Sequence, residues 1–282
     1  MKKFAIIGIS GYIAKKHVKC IKELNGNLIA AMDLHDNVGF LDSFFPNCKF
    51  FNNQKKFFKF VKKEKVDFVV VCTPSYKHFE HISMSIKSLC NVIVEKPPLL
   101  KDIQFNKIKK LEKIYKKNCF CVFQLRFDKK LANLKKQIQK TKKINKVKIN
   151  YFTYRGDWYF NSWKNQKKLS GGLLINIGIH FFDILFWIFG KSKKIVIYKK
   201  NKETAMGTIE LEKAQVKWVL SVKNLNKKNK NIKASRSMIV NKKKYNFDKF
   251  DDLHKVNYQQ IIKHQKHKID NFRYLINTMS KI

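Results

Sequence analysis

With 282 residues, 44% of them hydrophobic, the chain is long enough for two domains of ordinary size with real cores. It holds no apolar run of the roughly 18 residues that a membrane-spanning helix needs, so no membrane insertion is expected. The net charge of +41 would suit a nucleic-acid binder, but lysine pairs recur from Lys15-Lys16 through Lys109-Lys110 to Lys242-Lys243 instead of gathering in one stripe, so no specific nucleic-acid partner is expected.

Residues 4–8 are a short apolar run, read as a buried first strand. Gly8 then opens a glycine-punctuated turn where a signal peptide would continue apolar, so the protein is read as cytoplasmic. Residues 11–24 have helical spacing, 28–33 are apolar and end in an acid, and 55–64 read as an amphipathic helix. Phe68-Val69-Val70-Val71-Cys72 is apolar throughout, as expected of a strand buried on both faces. A helix over 78–89, a strand over 92–95, a helix over 102–117 and a strand over 120–124 continue the series. Repeated strand–helix units imply an α/β Rossmann domain with a doubly wound parallel sheet over 1–124.

The pattern changes near Leu125. Residues 146–154 alternate, and a helix starts after Gly171-Gly172 and runs to about Phe189. Strands are expected at 195–200, 207–211, 216–222, 235–240 and 244–247, with a Lys/Asn-rich loop over 224–233. The tail from about Asp251 reads as helical with a break near Lys266. Consecutive strands with few helices imply an α+β domain with an open, largely antiparallel sheet over 125–282.

Gly8-Ile9-Ser10-Gly11-Tyr12-Ile13-Ala14 follows the first strand and opens a helix. Pyrophosphate favours such a place, because helix N-terminal N–H groups and the helix dipole attract negative charge. Glycine permits the tight turn, and the small Ala14 lets the helix approach the strand. The spacing, Gly8-x-x-Gly11-x-x-Ala14, is one residue longer in the turn than the usual fingerprint. Asp33 stands 22 residues after Gly11, where an acid binds ribose hydroxyls and repels a 2′-phosphate. NAD is therefore the expected cofactor. The six cysteines contain no Cys-x-x-Cys pair and no second ligand cluster, so no metal is expected.

Two more clusters sit at carboxyl ends of parallel strands, where open α/β sheets bind ligands: Cys72-Thr73-Pro74-Ser75-Tyr76-Lys77-His78 and Val94-Glu95-Lys96-Pro97-Pro98. Glu95-Lys96-Pro97 resembles one signature of the glucose–fructose oxidoreductase/inositol dehydrogenase/MocA family. Gly171-Gly172, Asn176-Ile177-Gly178-Ile179-His180 and Asp183 resemble its second, in the substrate domain. The resemblance covers essentially the whole chain. A closer one, to the UDP-N-acetylglucosaminuronate 3-dehydrogenase branch of surface-polysaccharide (lipopolysaccharide) pathways, rests on five features. They are the Gly-Tyr-Ile-Ala turn, Gln124-Leu125-Arg126, the run from Tyr154 to Lys164, the helix with Asn176 and His180, and Phe250-Asp251-Asp252-Leu253-His254. Many family members carry Asp at the position of Asn176, and Asp157 stands where this branch is expected to carry Asn.

The resemblance implies NAD-dependent oxidation of a sugar-nucleotide 3-hydroxyl, with 2-oxoglutarate as a recycling acceptor and assembly into a dimer or tetramer. It implies cofactor contacts from Gly8, Gly11, Tyr12, Ile13, Asp33, Thr73, Ser75, His78, Glu95 and Trp158. It implies substrate contacts from Lys96, Gln124, Arg155, Tyr159, Asn176 and His180. Alcohol oxidation needs a base for the hydroxyl proton and a donor to the forming alkoxide. Lys96 and His180 are the titratable candidates, expected to converge on one carbon, with the assignment of base and donor open. His180 stands four residues after Asn176, hence on the same helical face. In the aromatic and cationic stretch of Arg155, Trp158, Tyr159, Trp163 and Lys164, a guanidinium could grip carboxylate or phosphate. His17, His35, His81, His264 and His267 show no partner pattern and read as surface residues, while His254 and Tyr258 fit either substrate contact or packing. Rival readings are another sugar or inositol dehydrogenase of the family, or a non-enzymatic nucleotide- or nucleic-acid-binding protein.

Overall fold

The computed structural model describes residues 1–223, 234–247 and 251–282. The loop expected over 224–233 lies outside these described residues. The chain divides into two compact units: Met1–Val122 with His254–Ile276, and Phe123–Leu253 with Asn277–Ile282.

The first unit runs β1 (Lys3–Ile7), α1 (Ala14–Glu23), β2 (Asn27–Met32), β3 (Lys49–Phe51), α2 (Gln54–Lys63), β4 (Phe68–Val71), α3 (His78–Lys87), β5 (Asn91–Val94), α4 (Asp102–Tyr115) and β6 (Cys119–Cys121). Its strands lie in the order β3-β2-β1-β4-β5-β6 and every pairing is parallel. This is the doubly wound Rossmann order, in which strand order reverses between β1 and β4 and ligands bind beyond the strands' carboxyl ends. The near-continuous apolar runs of β1, β4 and β5 follow from cover on both faces. α1 packs Ala14, Val18 and Ile21 inward at helical spacing. α2 starts where the Asn53 side chain accepts a hydrogen bond from Lys56 N. β3 was not expected: it is three residues long and mostly exposed, too short for an alternating pattern.

The second unit holds α5 (Lys129–Gln139), β7 (Asn145–Thr153), α6 (Asp157–Phe160), α7 (Lys167–Ser170), α8 (Gly172–Asn176), α9 (Ile179–Phe189), β8 (Ser192–Lys200), β9 (Thr204–Leu211), β10 (Ala214–Ser221), β11 (Ala234–Val240) and β12 (Lys243–Asn246). Among the described residues its sheet has the order β12-β11-β7-β10-β9-β8. Only the β7–β10 pairing in it is parallel. Along β7, Val147, Ile149 and Tyr151 are buried while Lys146 and Lys148 are exposed, the alternation of a sheet covered on one face. The covering helix is α9, whose Phe181 and Phe182 pack on Trp218, with Phe181 also on Tyr151.

Two expectations change. The single helix expected from Gly172 to Phe189 is two, α8 and α9, and the chain bends by 55° between Lys167–Asn176 and Ile179–Phe189. The bend brings the backbone so close at Gly178 that a Cβ there would meet Leu174 O at 2.7 Å and the Leu220 side chain at 3.0 Å. The expected second domain over 125–282 also loses a segment. The tail forms α10 (Asp251–His264) and α11 (Arg273–Ser280), and His254–Ile276 belongs to the first unit. Tyr258 and Ile261 complete the core around Ile6, Val18 and Ile93. Cys121 N donates to His267 O at 2.9 Å, so the returning segment also covers the β6 edge. Among the described residues no single helix is long and apolar enough to cross a membrane.

Candidate active site

The glycine turn of the first unit is built by backbone collision. Gly8 has φ +87°, and a Cβ on it would lie 2.6 Å from Thr73 N and 2.7 Å from Cys72 C. Only glycine lets the end of β1 lie this close to the end of β4. Gly8 N donates to Met32 O at 2.8 Å, and Ala14 N to Gly11 O at 2.9 Å, so the turn runs directly into α1. No side chain caps α1, and its first turn holds no acid. An anion in front of such a terminus is favoured by its N–H groups and dipole.

Asp33 follows β2 and faces this turn. Its Oδ2 accepts from Ser10 N at 2.9 Å, and its Oδ1 from Leu34 N at 2.8 Å and His35 N at 3.3 Å. A carboxylate has about four acceptor sites, so room remains for a ribose hydroxyl. Gly8, Gly11, Asp33 and Thr73 line one cleft of about 590 Å³, with Ser10, Gln54, Tyr76 and His81 among its other walls. A cradle that tolerates no Cβ, an uncapped helix start and an acid at the second strand's end fit an adenine dinucleotide.

His81, read from sequence as a surface residue, lines that cleft and is buried. Its Nδ1 lies 2.9 Å from Thr73 Oγ1 and its Nε2 3.2 Å from Gln54 Oε1, and burial pushes its pKa down to about 4. His78 is buried too. Its ring nitrogens each lie 2.8 Å from a carbonyl, Pro97 O and Thr73 O, so it ties the Thr73 turn to the Lys96 turn. Burial lowers its proton affinity against these contacts. Ser75 is buried, Ile13 is half-buried and Tyr12 is almost wholly exposed.

Lys96 is half-buried at the end of β5, and its peptide bond to Pro97 is cis. Its N–H donates to Glu95 Oε2 at 3.2 Å. The other carboxylate oxygen, Glu95 Oε1, lies 3.0 Å from His17 Nε2, and His17 Nδ1 lies 2.6 Å from Tyr258 Oη. Burial would raise the Glu95 carboxyl, but the His17 hydrogen bond and the charges of His17, His254 and Lys96 outweigh it and hold it at about 2. His17 is thus no surface residue: it is fully buried on the inward face of α1. His267 is buried as well, 3.2 Å from Asn257 through its Nδ1, while His35 and His264 are exposed as expected.

The second unit carries the other expected residues. Asn176 ends α8 and is buried, and His180, in the first turn of α9, is half-buried. Because the chain bends between them, they do not share the face of one continuous helix. One turn after His180, Asp183 is 1% exposed and accepts from Arg126 Nε at 2.9 Å and from Arg126 Nη2. Burial raises the Asp183 carboxyl while the guanidinium pulls it back. Gln124, in the same short turn as Arg126, is buried. The Lys164 ammonium stands 4.9 Å from the Trp163 ring and 5.4 Å from the Trp158 ring. Burial and the neighbouring Arg155 charge both lower its proton affinity, as expected where cations crowd together. Trp158 is 55% exposed. Tyr159 is fully buried, and its hydroxyl has no hydrogen-bond partner among the described residues.

The structure therefore gathers Gly8, Gly11, Asp33 and Thr73 in one cleft, with Lys96, Glu95 and His78 linked beside it in the first unit. Gln124, Arg155, Trp158, Tyr159, Asn176 and His180 belong to the second unit. Sequence reasoning missed Ser10, His81 and His17, because their partners lie outside their own turn or helix, and it left Tyr258 open between substrate contact and the packing that the structure shows. A larger recess of about 950 Å³ lies on the sheet of the second unit, lined by Lys146, Lys148, Gln215 and Lys217 among others. None of the expected site residues lines it.

Residues 2–123 match the model "Oxidoreductase family, NAD-binding Rossmann fold", and residues 135–235 match "Oxidoreductase family, C-terminal alpha/beta domain". The chain is similar to the WlbA (WbpB) dehydrogenase from Thermus thermophilus, with 33% identity, a TM-score of 0.94, and coverage of 99% of this chain and 94% of that one. That protein was solved with NAD and alpha-ketoglutarate, and with NAD and UDP-GlcNAcA. The chain is 29% identical over 132 residues to the D-glucoside 3-dehydrogenase of Escherichia coli (strain K12), covering 45% of this chain and 36% of that protein. It is 25% identical over 145 residues to the NADP(+)-dependent scyllo-inositol 2-dehydrogenase IolW of Bacillus subtilis (strain 168), covering 49% and 40%. The chain thus spans well under half the length of these two relatives.

Proposed function

Because the chain belongs to the Gfo/Idh/MocA oxidoreductase family, we propose that it oxidises the 3-hydroxyl of UDP-N-acetylglucosaminuronic acid to a ketone, using NAD. The observation that carries this reading is the match, along 99% of the chain, to a dehydrogenase solved with NAD and UDP-GlcNAcA. The crowded cations Arg155 and Lys164 suit a substrate with both a carboxylate and a pyrophosphate. In this reading the turn at Gly8 and Gly11 takes the NAD pyrophosphate and Asp33 its ribose, with Thr73 at the wall of the cleft. Tyr12, Ile13, Ser75, His78, Glu95 and Trp158 complete the cofactor contacts. Bound NAD supplies the hydride acceptor.

Lys96 and His180 serve the reacting hydroxyl. One takes its proton and the other donates to the developing alkoxide. Gln124, Asn176 and Tyr159 hold the sugar, and Arg155 its carboxylate or pyrophosphate. The reaction belongs to surface-polysaccharide sugar-nucleotide synthesis in the cytoplasm, 2-oxoglutarate reoxidises the cofactor, and the enzyme works as a dimer or tetramer. A second reading, oxidation of a simple glycoside or inositol, draws on the likeness to D-glucoside 3-dehydrogenase.

The test is a single-turnover assay of the NAD-loaded protein with UDP-N-acetylglucosaminuronic acid, a glucoside and inositol, followed by NADH absorbance. The proposed reading expects rapid, stoichiometric reduction with the UDP-sugar alone. Faster reduction by a glucoside or inositol would replace it with the second reading.

A further inference from the structure

We propose that Tyr258, His17 and Glu95 form a positioning relay that fixes the Glu95 carboxylate against Lys96, with the returning helix α10 as its anchor. The proposal rests on the reading of Lys96 as a catalytic residue. The observations lie within the first unit.

Tyr258 and His17 are both 0% exposed and Glu95 is 8% exposed. Their neighbours on α1 and in the surrounding core are Ala14, Val18 and Ile21. Three polar side chains here displace apolar packing, and a buried charged group is a weak source of stability compared with well-packed hydrophobic residues. Their arrangement has a direction. Glu95 as a carboxylate only accepts, so His17 donates through Nε2. His17 Nδ1 and Tyr258 Oη lie 2.6 Å apart, so the imidazole is held at both ring nitrogens. Burial holds the Tyr258 hydroxyl protonated. With Oε1 taken by His17 and Oε2 by Lys96 N, a hydrogen bond on each oxygen opposes rotation of the carboxylate.

The relay has a chemical consequence. The Glu95 carboxylate is held on the backbone N–H of Lys96 at 3.2 Å and remains an anion there, and an anion next to a lysine favours its ammonium form. The titratable and charged groups facing Glu95 come from four elements and its own turn. They are His17 on α1, His254 and Tyr258 on α10, Cys72 after β4, His78 on α3, and Lys96 itself. Removing one relay hydrogen bond frees the carboxylate, and removing its charge lowers the proton affinity of the lysine.

The experiment uses the full chain labelled with ε-¹³C lysine. The Lys96 signal is assigned by its absence in Lys96→Met and titrated by NMR without substrate. Glu95→Gln is expected to move the Lys96 midpoint to lower pH by at least about one pH unit. Tyr258→Phe, which keeps the ring and loses only the hydroxyl, is expected to move it the same way by less. It should also shift the pH profile of single-turnover NAD reduction and slow it about tenfold. A Tyr258→Phe protein with the wild-type Lys96 midpoint, rate and pH profile overturns the relay. If that variant fails to fold, His17→Gln and Glu95→Gln decide, and wild-type Lys96 midpoints in both overturn it. Lys96→Met separates the two claims. Undiminished turnover in that variant removes the catalytic reading of Lys96, whereas the midpoint shifts are read without turnover and stand or fall alone.

Discussion

Gly8 lets a strand pass into a helix, whereas Gly178 interrupts one. At Gly8 the backbone itself is left-handed, φ +87°, and the obstacle to a side chain is the backbone of the neighbouring strand end at Thr73. At Gly178 the backbone is ordinary, φ −69°, and the obstacles are Leu174 O and the side chains of Leu220 and Phe182. The first demand follows from a strand–turn–helix unit and shows in the residue pattern. The second follows from the preceding turn at Leu174 together with packing against Leu220 of β10, which is distant along the chain. The buried charges differ in the same way. The first unit holds Glu95 by a chain of hydrogen bonds, and the second holds Asp183 by a forked ion pair with Arg126.

Asp183→Asn should be the costliest change. It leaves the Arg126 guanidinium, whose side chain is 15% exposed, without its carboxylate. The expected loss is about 3–5 kcal/mol, measured by urea unfolding. A loss below about 1 kcal/mol would mean that water serves Arg126 as well as the ion pair does.

His81 comes next, and its effect is read by pH. Its pKa falls from 6.5 to about 4 on folding, so the unfolded chain binds the proton first as pH drops. Stability from this group is full above pH 6.5 and lost as pH falls from there to about 4, by up to about 3 kcal/mol. His81→Gln should flatten unfolding free energy across that window, and an unchanged slope would place the titration elsewhere.

The two glycines give the smaller effects. Gly8→Ala should cost about 2–3 kcal/mol and weaken NAD binding strongly, because both the conformation and the contact are wrong for alanine. Gly178→Ala should cost about 1–2 kcal/mol through overpacking and leave NAD affinity within about twofold. Calorimetry with NAD checks both, and equal effects on affinity would erase the distinction between the two turns.

The same distinction separates the features that are legible in the sequence from those that are not. The parallel sheet, the glycine turn and Asp33 lie in regular strand–helix units, whose local pattern is enough. The burial of His17 and the return of α10 depend on contacts between residues far apart in sequence, and the helix break at Gly178 depends on them in part, through Leu220. A histidine with its partners at Thr73 and Gln54, or at Glu95 and Tyr258, has no local signature. β3 lacks a signature for a different reason, being too short to carry a period.

Lys96 and His180 come from different units, and the proposed chemistry asks both to act on one proton transfer. Single-turnover NAD reduction by UDP-N-acetylglucosaminuronic acid, measured for Lys96→Met, His180→Asn and the double variant, addresses this directly. Each single change should slow reduction about 10²–10⁴-fold, with the double variant little slower than the worse single, because groups serving one step are not additive. Near-normal rates in both single variants would contradict the assignment, and independent, multiplying losses would contradict the shared step.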